Sequence, residues 1–323
     1  MRPFWPAFRR RLLGIRPAML SFDRLGFAPA PAPVRERLER IASVFADGYH
    51  AALASAALSE LGERLGRIPR EHQGFAAEGA AMALEILDRL TPWRPSRAAA
   101  FAKGAGAPHI YLVYVGLGWA AARLHRDIPR MRSRWDPLLG WLITDGYGFH
   151  EGFFHWRRYS EGQPAPKRLQ GYDRNVFDQG LGRSLWFVAG ADPDRIRDAI
   201  ARFPPERQGD LWGGIGLAAT YAGGADAAGL RQLRQNAADH WPHLAQGAAF
   251  AAKARQQENS VLQETHAAAL LLCDMPVIEA ASVTDRCLPS PDGTKSERAY
   301  AAWQAQVRRM LSWTATGESD SAG

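Results

Sequence analysis

Cysteine is nearly absent: the 323 residues hold two, Cys273 and Cys287. That is too few for a disulfide framework and fits a reducing compartment. No run approaches the roughly 18 apolar residues of a membrane span. The start, "MRPFWPAFRRRLLGIRPAML", has basic residues without the apolar core of a signal peptide. A cytoplasmic protein is therefore expected. Alternating Val/Ile/Thr/aromatic runs are scarce, which argues against sheet. Phosphate and nucleophile motifs are missing too: "GLGRSL" is not a GxSxG elbow, no GxxxxGK[ST] occurs, and "GAGAP" (104–108) lacks the rest of any phosphate loop. ATP and NAD dependence are disfavoured, and the cofactor is left unknown.

Charge excludes little more. Forty Lys+Arg against 33 Asp+Glu give a net +7, but arginine is scattered along the chain, with no zinc knuckle or long basic run. Nucleic-acid binding is not expected from that pattern.

What is present is alanine, in stretches such as "AALASAAL" and "GAAFAAKAR", within a chain that is 46% hydrophobic. Alanine loses no side-chain entropy in a helix, so helix is favoured. A repeat organises these stretches. "PREHQGFAAEGAAMA" (69–83) aligns without gaps on "PPERQGDLWGGIGLA" (204–218). With glycine as anchor, units recur at Gly48, Gly79, Gly116, Gly146, Gly180, Gly214 and Gly247, spaced by 31, 37, 30, 34, 34 and 33 residues.

A period near 33 with helical composition predicts an all-α array of about seven stacked helix pairs, a tetratricopeptide-like solenoid or toroid over residues 35–315. Glycine inside a helix costs about 1 kcal/mol against alanine, so repeated placement implies close helix approach. Residues 192–224 show the pair most plainly: an Asp cap, Pro in the first turn, a "PP" break and a stop at "GG". Residues 1–34 form a basic, aromatic segment with a linker-like "APAPAPV" (28–34); 160–171 predicts a loop and 316–323 a disordered tail.

The residue before each anchor forms one row: Asp47, Glu78, Val115, Asp145, Gln179, Gly213 and Gln246. Polar side chains beside a close-packed glycine either line a central cavity or cap neighbouring helix ends. Three places further on, His50 stands where the other units hold Gly or Ala, one turn from Asp47. The stretch "DGYGFHEGFFHW" (145–156) adds His150, Glu151 and His155. Its HExxxH spacing is not that of a zinc protease, and any metal would need ligands converging from different units. Asp47, His50, Glu78, Asp145, His150, Glu151 and His155 are therefore the acid/base candidates. Tyr147, Gln179, Arg183, Trp186, Trp212 and Gln246 are the substrate-binding candidates, with a bound metal unknown. The aromatics either pack helices together or wall an apolar cavity.

In the order "RRRLLGI", "FADGYHAAL", "FAAEGAAMALEILD", "DPLLGWLITDGYGFHEGFFHW", "FDQGLGRSLWFVAGADP", "DLWGGIGLAATYAGG" and "AQGAAFAAKAR", the chain resembles the bacterial enediyne biosynthesis proteins called UnbL, a domain-of-unknown-function family. Its members occur beside an iterative polyene-making polyketide synthase. The resemblance implies an accessory protein that acts on or binds the polyene intermediate during formation of the enediyne core. It supplies no catalytic residues. The competing expectation is a noncatalytic scaffold or carrier that shields the polyene or assembles other core enzymes. Residues 4–15 imply either peripheral membrane contact or a cap on the first repeat.

Overall fold

The computed structural model describes residues 9, 11–159, 164–290 and 298–317, and these contain helices and no strand. Seven long helices carry the anchor glycines: α1 (Ala32–Ala54), α2 (Arg70–Leu90), α3 (Ile110–Arg123), α4 (Trp141–Phe154), α5 (Asp173–Val188), α6 (Pro205–Ala222) and α7 (Trp241–Gln257). Each packs on the next in chain order. Shorter helices between them, such as Pro193–Ile200, Ala227–Ala237 and Gln263–Cys273, form an outer layer. The helix-pair array expected from the period is thus the architecture of the chain.

Local signals set the helix ends. Asp192 accepts from the backbone N–H groups of Asp194 and Arg195, satisfying donors that the first turn leaves unpaired. Pro205 opens α6, and Gly223 stops it at φ 67°, a conformation costly for a residue with a Cβ. Helix α1 begins at Ala32, inside the "APAPAPV" stretch. The last helix, Ala299–Gly317, runs slightly past the boundary expected for a tail; residues 318–323 lie outside the described part.

The anchors explain the spacing. A Cβ at Gly180 would lie 1.9 Å from the Asp145 carbonyl oxygen, and one at Gly214 2.0 Å from that of Gln179. In each case the contact is with the residue just before the preceding helix's anchor. The glycine two places on faces the other way: a Cβ at Gly182 would meet the Leu211 oxygen at 2.1 Å. One Gly-x-Gly step therefore serves two helix crossings.

This geometry corrects the first unit. Gly48 meets the following helix at Ala76, as a second glycine does, and Gly79 packs on the Phe45 carbonyl. The true anchor of α1 is Ala46, so its row residue is Phe45, and Asp47 and His50 are out of register by two residues. Two residues turn a helix by about 200°, which puts Asp47 on the exposed side.

The array closes on itself. Arg37 of α1 donates to the Ala222 carbonyl (2.6 Å) and pairs with Glu264 (2.7 Å). Arg255 of α7 donates to the Glu71 carbonyl of α2 at 2.7 Å. The N-terminal segment covers one end of the ring: Phe27 packs edge-on against Phe153 at 5.1 Å, and Ala28 N–H donates to the Val188 carbonyl. The helix Ala299–Gly317 covers the opposite end, with Tyr300 stacked on Trp141 and Gln304 donating to Gln179 at 2.6 Å. No single described helix is long and apolar enough to cross a membrane; one pair, Gln263–Cys273 and Val277–Arg286, passes that test jointly but is bent by 63°.

Candidate functional site: a buried charge cluster between two apolar chambers

Two cavities lie on the ring axis. The first, of about 40 Å³, is walled by Phe45, Trp119, Phe149, Phe153 and Phe187, with Glu78 as its carboxylate. The second, of about 50 Å³, lies toward the other end of α3 to α5, between Leu112, Leu142, Phe250, Tyr300 and Trp303. At roughly 10–15 Å³ per water, each is a narrow slot. Arg183, Leu217 and Tyr221 line both and form the waist between them.

The row residues supply the polar groups at the waist. Asp145 is wholly buried; Arg183 donates to its Oδ1, and Gln179 Nε2 donates to its Oδ2 at 2.7 Å. Glu78, 2% exposed, has no partner for Oε1, and Trp119 Nε1 also lacks one. Burial pushes the Glu78 pKa up to about 8; Arg183 opposes the shift and Asp145 adds to it. A carboxyl that is neutral at neutral pH in an apolar wall can donate a proton and, once ionised beside Arg183, take one up.

A second cluster adjoins the waist and was not visible in the sequence pattern. Tyr221 donates to Glu258 at 2.8 Å, Ser260 donates to the same carboxylate at 3.1 Å, and His109 Nδ1 lies 3.3 Å from it. Arg255 sits over the Tyr221 ring at 4.0 Å. The only hint was spacing: Tyr221 and Glu258 stand 37 residues apart, about one repeat.

The other candidates lie elsewhere. His50 accepts from the Ile15 N–H at 3.1 Å and Tyr49 donates to the Leu13 carbonyl at 2.9 Å, so both pin the N-terminal segment to α1. His150 is buried against Trp119 (5.4 Å) and Phe154 (5.0 Å), with Nδ1 3.5 Å from Glu151. Burial lowers its pKa, so a neutral ring is favoured. Glu151 and exposed His155 face an outer cleft with Tyr147, away from Asp145 and Glu78. The twelve-residue stretch is thus divided by the helix: Asp145 points inward, and Glu151 and His155 outward. Trp186 donates to the Gly223 carbonyl at 2.9 Å and ties α5 to the end of α6. Trp212 is buried but lines neither chamber. Gln246 accepts from Arg308 at 2.8 Å, anchoring the last helix. Among the described residues no three His, Cys, Asp or Glu side chains gather in a way that could hold a metal ion.

The chain belongs to the family described as Protein of unknown function (DUF1702), whose model matches residues 4–311. No curated protein and no solved structure matches it.

The Glu78 environment has a measurable consequence for stability. Its pKa is raised from 4.5 in the open chain to about 8 in the fold, so the folded protein binds the extra proton between those values. Its contribution is complete below about pH 4.5 and is lost as pH rises through about 8. Glu78→Gln should therefore match wild type near pH 4.5 and melt at a higher temperature at pH 8.5. Parallel melting curves across that range would show that Glu78 is ionised in the fold.

Proposed function

We propose that this protein acts on the conjugated polyene intermediate of enediyne core formation, holding a thin apolar segment on the ring axis with Glu78 as its acid/base group. The observation that carries this reading is a buried carboxyl whose Oε1 has no hydrogen-bond partner, set in an aromatic chamber beside the Arg183–Asp145 pair, where burial favours its neutral form. A carrier needs only apolar walls, whereas burying three ionisable side chains there costs folding energy that an all-apolar lining would avoid. Tyr221 and Gln179 complete the waist, positioned by Glu258 and Gln304. Arg183 lines both chambers and is placed to stabilise negative charge that develops on a bound chain.

The link to enediynes rests on the family resemblance; the chemistry rests on the waist. A producing strain lacking the gene, complemented with Glu78→Gln, should make folded protein and no enediyne. Full production would remove the acid/base role and favour the noncatalytic carrier.

A further inference from the structure

Outside the ring, at the end of α4, lies an open cleft of about 830 Å³. Among the described residues, Arg157, Arg158, Lys167 and Arg168 line it together with His125 and His155, against one carboxylate, Glu151. That carboxylate is already engaged: His150 lies 3.5 Å from it and Tyr159 donates to it at 3.4 Å. Arg158 and Lys167 are exposed and form no ion pair with described residues. A concave surface so lined concentrates anions, and arginine matches the planar oxygens of carboxylate and phosphate.

The cleft is one aromatic layer from the first chamber. Phe154 lines the cleft, Trp119 lines the chamber, and the two rings meet edge to face at 5.7 Å. We infer that the cleft is the portal of the interior site and receives a single-chain amphiphile. Its oxyanion head sits among Arg158, Lys167 and Arg168 while its apolar chain passes Phe154 toward Glu78. This rests on the interior being an apolar-ligand site. Head and tail recognition are thereby separated, with the charge kept in water and only carbon drawn inside.

The test uses the full-length protein and cis-parinaric acid, a conjugated tetraene carboxylate whose fluorescence rises on leaving water, with its methyl ester as the uncharged control. Wild type should bind the acid about tenfold more tightly than the ester. Arg158→Glu combined with Lys167→Glu, both on exposed side chains, should abolish that preference and leave ester affinity unchanged. Dodecyl phosphate and dodecanoate should both displace the acid, and the stronger competitor identifies whether phosphate or carboxylate is the preferred head. Equal binding of acid and ester by wild type, or a preference that survives charge reversal, overturns the portal while ester binding upholds the interior site. If neither form binds, both readings fall.

Discussion

Gly214→Ala should melt at a much lower temperature than wild type, although alanine is the better helix former. The added methyl would lie 2.0 Å from the Gln179 carbonyl oxygen and 2.7 Å from the Arg183 nitrogen, so α5 and α6 must part along their length. Overpacking against backbone costs 1–3 kcal/mol or more, a large share of the roughly 5–15 kcal/mol of a typical domain. Gly213 provides the control from the same helix. A Cβ there would meet its nearest neighbour, the His243 carbonyl oxygen, at 3.5 Å, an ordinary contact. Gly213→Ala should hold or raise the melting temperature, by up to about 1 kcal/mol of helix propensity. Circular dichroism melts of the two variants settle the matter: similar melting temperatures would mean that the anchors are not in backbone contact.

Arg183→Met should be the most damaging change at the waist. It removes the guanidinium bonded to Asp145 and facing Glu78, and leaves a carboxylate with no solvent exposure beside one that is 2% exposed. Stripping one partner from a buried pair costs about 3–5 kcal/mol. The deficit should shrink at acidic pH, where the Glu78 carboxyl is neutral, and a second change, Asp145→Leu, should recover most of it. Urea unfolding at pH 5 and pH 8 reads both effects. A loss that is independent of pH and untouched by Asp145→Leu would mean that Arg183 matters for its packing against Phe149, over which it lies at 4.6 Å.

The fold was legible because helix crossings demand small residues at fixed intervals, and glycine is conspicuous. Row membership followed for Glu78, Asp145, Gln179 and Gln246, since equivalent helices stack in register. It failed for Asp47 and His50 because α1 spells its step Ala46-x-Gly48, and alanine in an alanine-rich helix carries no signal. Direction within "DGYGFHEGFFHW" could be counted from helix geometry, but not which arc faced the axis. Its concentration of polar groups therefore suggested one site where the helix serves two surfaces. The Tyr221, Glu258 and His109 cluster was hidden because its members come from a long helix, a helix end and the short 3-10 helix Ala107–His109, brought together only by closure of the ring.

Ring closure also sets the order of events during synthesis. Arg37 and Glu264 are separated by 227 residues, and Gln304 reaches back 125 residues to Gln179. Contacts that distant form slowly, because the loop entropy is lost before the contact is gained. Helices can pair with their predecessors as they leave the ribosome, yet the growing array stays an open spiral with an uncovered apolar edge until the chain is nearly finished. The nascent protein is consequently a better chaperone client than the mature one, and its folding rate is governed by the last step, the closure of α1 and α2 onto α6 and α7.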